Sequence, residues 1–295
     1  MKIFDCFMYC DENMLLDIRL NTLDPYVDKF VIVESNFYHN GKVKNFIFDI
    51  NDYQNFKEKI IYIKVSDRPL EIKKNCNNND IESVNIFNSL LLDNFQRNKI
   101  LLGLVNANQE DIVIISDIDE IPNLANVDFK LISKKFIFFK QDFFYYKFNL
   151  KHPNLKWFGS KATKLKNLKT PQFLRNLKNK VYPWWRIDIL FSKKKSFSIK
   201  IIEDGGWHFT NIKTANDIYK KMNYFAHHTE FEETGITAKD INQFIKDEII
   251  YYDHKLDQSN QNKWSARIPL EKTSINKLPN YIQKNYNKLK FWIKN

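Results

Sequence analysis

An α/β architecture on a mostly parallel central sheet is what this sequence predicts, from three observations. The first 122 residues alternate strand-like apolar runs with helix-like stretches, as parallel strands joined by crossover helices require. Ile112, Val113, Ile114 and Ile115 form an unbroken β-branched run, the pattern of a central strand covered on both faces. In "DIVIISDIDEIP" that run passes directly into Asp117, Asp119 and Glu120, at the strand edge where open α/β sheets hold their ligands.

Taken in order, residues 2 to 8 read as the first strand. A helix follows in "DENMLLDIRLNTLDPYVDKF", with Leu15, Leu16, Ile18, Leu20 and Leu23 inward and a stop before Pro25. "FVIVES" and "KIIYIKV" are the next two strands. A long helix then starts near Asp80 as N-cap, with Ile86, Phe87, Leu90, Leu91, Phe95, Leu101 and Leu104 on its buried side. Beyond Pro122 the texture turns aromatic. "FIFFKQDFFYYKFNL", "LKWFGSKATKL" with a turn at Gly159, "IDILFS" and "FSIKII" read as strands, and helices are expected near 214 to 226, 238 to 252 and 279 to 292. The expected organisation is a nucleotide-binding half over 1–122, an acceptor-side and catalytic half over 123–255 sharing its sheet system, and a helical tail over 256–295.

Composition narrows the class. With 43% hydrophobic and 27% charged residues the chain reads as globular, and no run approaches the ~18 to 20 apolar residues of a membrane span. "MKIFDCFMYC" lacks the features of a signal peptide, so a cytoplasmic location is expected. Cys6, Cys10 and Cys76 are odd in number, and Cys6 and Cys10 on one strand would lie about 13 Å apart, beyond disulfide reach. The formal charge of +11 asks for an anionic partner. Its lysines are spread through "KKFIFFK", "KATKLKNLKT" and "FSKKKSF". Solvated faces are the plain reading, and peripheral contact with an anionic membrane is the alternative.

The six glycines spell neither a G-x-G-x-x-G turn nor a Walker loop, and no Ser/His/Asp elbow appears. The D-x-D of Asp117 and Asp119 suits a hard divalent cation, Mg²⁺ or Mn²⁺, bridged to a diphosphate; an ordinary acidic turn is the competing reading.

The segments "IFDCFMYCDENMLLDIRLNTLDPYVDKFVIVES", "NGKVK", "DIVIISDIDEIP" and "GGWHF", in that order, resemble glycosyltransferase family 17, whose animal members include the β-1,4-mannosyl-glycoprotein 4-β-N-acetylglucosaminyltransferase. The resemblance implies a GT-A fold, a UDP-sugar donor with N-acetylglucosamine foremost, a divalent metal, a glycan or lipid-linked saccharide acceptor, and inversion at the anomeric carbon. Carried over by position, it assigns Asp117 and Asp119 to metal and donor, His208 as a third metal ligand, and Glu34 and Asn36 to the nucleotide. Arg97 is assigned to the diphosphate, with a surface ion pair as the alternative. Trp207 and the aromatic "YPWWR" at 182–186 are core or sugar platforms. The proton acceptor is left between Glu230, which ranks first, and the pair Glu203 and Asp204. Two other classes stand as alternatives: a metal-dependent phosphoesterase, and a basic nucleic-acid-binding protein. The latter needs a basic stripe in which the acidic cluster would stand, so no nucleic acid is expected.

Overall fold

The computed structural model describes residues 1–73, 81–183, 185–224, 228–254 and 261–295. Cys76, Asp80 and Trp184 lie outside the described residues. The chain opens with β1 (Ile3–Tyr9), α1 (Asn13–Leu23), β2 (Lys29–Ser35), β3 (Ile60–Val65), α2 (Ile81–Asn98) and β4 (Ile112–Asp117). β1 lies between β2 and β4 and is parallel to both, and β3 continues the parallel run beyond β2. The β-branched run of β4 is buried from Ile112 to Ile115, as a strand covered on both faces must be. The five leucine and isoleucine positions expected on the inner side of α1 are all buried.

After the short β5 (Glu120–Pro122) come β6 (Phe136–Phe139), β7 (Gln141–Tyr145), β8 (Leu150–Trp157), β9 (Lys161–Lys164), α3 (Pro171–Asn176), β10 (Ile199–Ile202) and β11 (Gly206–Thr210). β9 pairs antiparallel with β4 and β6, and β10 runs parallel to β6, so the second half supplies three strands of a seven-stranded sheet ordered β10-β6-β9-β4-β1-β2-β3. The remaining chain gives α4 (Ala215–Tyr224), α5 (His228–Glu233), α6 (Ala238–Asp247), β12 (Ile249–Ile250), β13 (Ile268–Pro269), β14 (Glu271–Lys272), α7 (Asn280–Lys284) and α8 (Tyr286–Leu289). A second sheet, β14-β8-β7-β11-β5, joins the end of β4 through β5. The shared sheet system is therefore two sheets, with Asp117 to Glu120 as their hinge.

Several expectations change. "IDILFS" makes a single 3-10 turn over Ile187–Ile189, which pairs with no strand among the described residues; Ile189 turns inward while Ile187, Leu190 and Phe191 stand in solvent. α2 ends at Asn98 and tightens into a 3-10 segment over Lys99–Leu104. Phe87, Leu90 and Leu101 are exposed, and Ser89, Leu92, Gln96 and Arg97 take the buried face, since the helix packs on the polar site as well as the core. The helix near 238 stops at Asp247 with Glu248 in the left-handed region, and the C-terminal helix is broken into α7, α8 and a final 3-10 turn. Among the described residues no helix is long and apolar enough to cross a membrane.

The two sheets are tied together by a buried ion pair that the sequence reading passed over. Arg19 on α1 and Asp5 on β1 have no exposed surface, and the guanidinium meets both carboxylate oxygens at 2.6 and 2.7 Å. Its remaining nitrogen donates to the backbone carbonyls of Asp117, Ile118 and Glu120 at 3.1, 3.3 and 2.7 Å, and Phe7 lies 4.6 Å beneath it. A buried charge left without its partner is strongly destabilising. Asp5→Ala is accordingly expected to lower the unfolding free energy by roughly 3–5 kcal/mol, read as a fall in the urea midpoint at unchanged slope. A loss near zero would show that water already serves this guanidinium.

Candidate active site

Because β2 and β4 flank β1 on opposite sides, the strand order reverses beside β1, and the carboxyl ends of β1 and β4 face a common crevice. Met8 and Asp117 are register partners there. A cleft of about 850 Å³ opens at this point, walled by Met8 to Glu12, Phe37 to His39, Arg97, Asp117 to Asp119, and the lysines at 213, 220 and 221.

The crowded carboxylates are answered by arginines from two helices. Asp117 takes Arg97 of α2 on Oδ1 at 3.2 Å and Arg175 of α3 on Oδ2 at 2.8 Å. Arg97 also pairs with Asp93 at 2.6 Å and with Gln172. Glu120 is buried. Its Oε2 accepts the Asp117 amide and the Arg175 guanidinium, both at 2.7 Å, and its Oε1 accepts the Trp157 indole at 2.7 Å. Arg175 closes the ring on the Gly159 carbonyl. Burial pushes the Asp117 carboxyl up, but Arg175 and Arg97 outweigh it and hold it well below the usual carboxylate range.

Asp119, in the turn, faces the cleft. β11 runs antiparallel to β5 with His208 opposite Glu120, and Phe209 donates its amide to the Asp119 carbonyl at 2.8 Å. Gly206 makes this approach: its φ is +114°, and a Cβ there would stand 2.2 Å from the Ile121 carbonyl oxygen. His208 is buried, stacked on Trp157 and edge-on to Phe143. Its Nε2 lies 2.8 Å from the Thr210 hydroxyl and 3.5 Å from Asp119 Oδ2, while its Nδ1 is buried and meets no hydrogen-bond partner among the described residues. Burial raises the Asp119 carboxyl, and the His208 imidazole and Lys221 outweigh it and bring it below its ordinary value.

Among the described residues no three of His, Cys, Asp and Glu converge as a closed metal cage. Both oxygens of Asp117 are engaged by guanidinium groups, so Asp119 and the His208 beside it are the pair that would hold a divalent cation. Mg²⁺ and Mn²⁺ are commonly held by one or two carboxylates with substrate phosphates completing the shell. The Asp119 and His208 donors fit that mode.

The glycosyltransferase family 17 model matches residues 1–173, from β1 into α3 and through the entire acidic turn. This chain belongs to glycosyltransferase family 17. No curated protein matches it. Membership makes the protein a glycosyltransferase, which implies in general a nucleotide-sugar donor and a glycan acceptor; it gives no support to the phosphoesterase or nucleic-acid-binding readings. The fold, with its large mostly parallel sheet, is consistent with the GT-A type. The matched span stops before Arg175, His208 and Glu230, so those positions rest on geometry alone.

Of the residues expected at the glycosyltransferase site, Arg97, Asp117, Asp119 and His208 come together. Glu34 does not reach the cleft. It is buried, and its oxygens are taken by Lys44, the amides of Ile47 and Phe48, and the Tyr62 hydroxyl, so it organises the segment after β2 instead of meeting a nucleotide. Asn36 sits one residue before the cleft wall, its backbone bridging Val65 and Lys44. Glu203 pairs with Lys140 at 2.7 Å and Asp204 meets Asn123 at 3.5 Å, away from the cleft wall. Glu230, on α5, pairs with buried Lys263 at 2.5 Å under the cluster of Phe231 and Trp264. Trp207 donates to the Lys277 carbonyl and packs in the core, and Tyr182 is buried while Trp185 is exposed.

Sequence reasoning missed Arg175, Trp157, Asp11, Asp217 and the three cleft lysines. The clustered carboxylates were the one available signal for the arginines, since such a group needs compensating cations from elsewhere. Gly159 records the fit: a Cβ there would lie 2.1 Å from the Glu120 carboxyl carbon. Gly159→Ala is expected to destabilise by about 1–3 kcal/mol through overpacking and to cut transfer by displacing Glu120 and Arg175. Wild-type stability with full activity would show that the network yields without consequence.

Proposed function

We propose that this enzyme transfers N-acetylglucosamine from UDP-GlcNAc to a hydroxyl of a glycan or lipid-linked saccharide, with inversion and with Mn²⁺ or Mg²⁺ as cofactor. The observation that carries the reading is the cleft at the β1/β4 crevice, where Asp119, with buried His208 beside it, shares the wall with Lys213, Lys220 and Lys221. The donor sugar is taken from the family resemblance.

Asp119, with His208 beside it, would hold the divalent cation, which would supply charge stabilisation to the departing diphosphate. The chain's own residues do the rest. Lys220, Lys221 and Arg97 line the cleft as cations suited to the phosphates. The ion-paired ring of Asp117, Glu120, Arg97 and Arg175 holds the turn so that Asp119 keeps its orientation without reorganising.

The acceptor hydroxyl must lose its proton to a base within about 3 Å. Glu230, Glu203 and Asp204 do not line the cleft, whereas Asp217 does. Asp217 lies in the first turn of α4, accepts the Thr214 hydroxyl at 2.6 Å and is half exposed. Asp11, also on the wall, is tied to Lys213 at 2.8 Å. We assign proton acceptance to Asp217.

With a panel of nucleotide sugars and Mn²⁺, UDP release and thermal stabilisation are expected to be greatest for UDP-GlcNAc. Asp119→Ala should abolish transfer and the Mn²⁺-dependent part of that stabilisation while leaving the metal-free melting temperature unchanged or raised. Indifference to every nucleotide sugar would overturn the donor assignment, and normal turnover of Asp119→Ala in limiting Mn²⁺ would overturn the metal role. Asp217→Asn, which keeps the shape of the helix cap, is expected to lower kcat on the order of a hundredfold or more with UDP binding retained, while Glu230→Gln stays near wild type. The reverse ranking would return the base to Glu230.

A further inference from the structure

Between α3 and β10 the chain makes an excursion that the catalytic cleft does not use. Four large apolar side chains stand in solvent within seven residues: Trp185 at 64% exposure, Ile187 at 69%, Leu190 at 71% and Phe191 at 85%. The segment is nevertheless organised. Ile187–Ile189 form a 3-10 turn, Ile189 and Tyr182 point inward and are buried, and the Lys178 amide closes the base on the Lys194 carbonyl at 2.7 Å. Exposed apolar residues elsewhere, such as Leu70 and Leu131, stand singly and need no explanation. A contiguous patch does.

The charge around the patch selects its partner. Residues 178 to 195 carry six cations, Lys178, Lys180, Arg186, Lys193, Lys194 and Lys195, against the single carboxylate of Asp188. Asp188 is itself bound by Arg186 at 2.6 Å and Lys195 at 3.0 Å. An apolar tip with a tryptophan, flanked by lysines and poor in acids, matches the acyl boundary and anionic headgroups of a bilayer. A second copy of this chain would bring the same cations against one another.

We infer that residues 185–191, with the lysines on either side, form a docking surface for an anionic lipid bilayer. The tip enters the headgroup boundary, and the lysines hold it by charge. The stem is fixed to the site: Lys161 donates to the carbonyls of Arg175 and Leu177 at 2.7 and 2.6 Å, on the helix whose Arg175 clamps Asp117. Docking therefore secures the enzyme at a membrane through the element that shapes its cleft. Given the transferase reading above, on which this step rests, the acceptor class it favours is a saccharide carried on a lipid.

Co-sedimentation with phosphatidylglycerol/phosphatidylcholine vesicles, against phosphatidylcholine alone, tests the surface on the full chain. Wild type is expected to bind the anionic vesicles, with affinity falling as salt rises. Replacing Trp185, Ile187, Leu190 and Phe191 together by Ser should abolish binding while the thermal midpoint and vesicle-free UDP-GlcNAc hydrolysis stay at wild-type values. Lys193→Gln, Lys194→Gln and Lys195→Gln combined should weaken binding on the order of a hundredfold at low salt. Equal binding to neutral vesicles, unchanged binding by the serine variant, or a dimer in sedimentation velocity that the serine variant dissolves without any vesicle binding would each overturn the proposal. Vesicle binding is read without catalysis, so absence of hydrolysis in wild type would count against the donor assignment and leave the docking result standing.

Discussion

Arg19 and Asp5, a guanidinium and a carboxylate with no exposed surface, are the interaction on which the rest of the structure depends. Their mutual pairing uses two of the guanidinium's nitrogens, and the third reaches the carbonyls of the turn that follows β4. That turn is where the seven-stranded sheet hands over to the five-stranded one. A turn between two sheets has backbone carbonyls that no ladder satisfies, and burying them unpaired is costly. A charged donor from α1 removes that cost and simultaneously fixes the direction in which Asp117, Asp119 and Glu120 project.

The second constraint is charge. Three carboxylates within four residues repel, and two are drawn into low dielectric where the repulsion grows. Arg97 and Arg175 resolve this by bridging Asp117 to Asp93 and to Glu120, so that the acidic turn is a balanced network in which Asp119, beside His208, is the carboxylate that meets neither guanidinium among the described residues. The distinction between the carboxylates follows from pairing. Those clamped by arginines hold the turn, and Asp119 keeps its oxygens toward the cleft.

The third element is the basic wall. α4 and the segment before it place Lys213, Lys220 and Lys221 on the same cleft as the acidic turn, giving one crevice both a carboxylate suited to a cation and ammonium groups suited to an anion. That arrangement suits a diphosphate with its metal, and it gives a local use to part of a net charge of +11. Another share of the charge gathers around residues 185–191, distinct from the cleft in its apolar character.

Periodicity and residue chemistry were enough to read the strands β1 to β4, the inner face of α1 and the acidic turn at a strand end, because these depend on neighbours in the chain: alternating elements, an unbroken β-branched run, a change from apolar to charged. The ordered segments likewise carried the family. What answers the acidic turn was invisible. Arg19, Arg175 and Trp157 come from three distant segments, and nothing in their own surroundings distinguishes them from surface arginines or a core tryptophan. Glu34 and Glu230 looked functional because their chemistry suits a site, yet the fold spends one on the segment after β2 and the other on a buried lysine. Asp217 and the lysines of α4 carry no local signal that separates them from a solvated helix face. Sequence determined which groups are available and the local direction of the chain; the tertiary structure decided which carboxylate meets which cation, because that choice depends on distances between segments far apart in sequence.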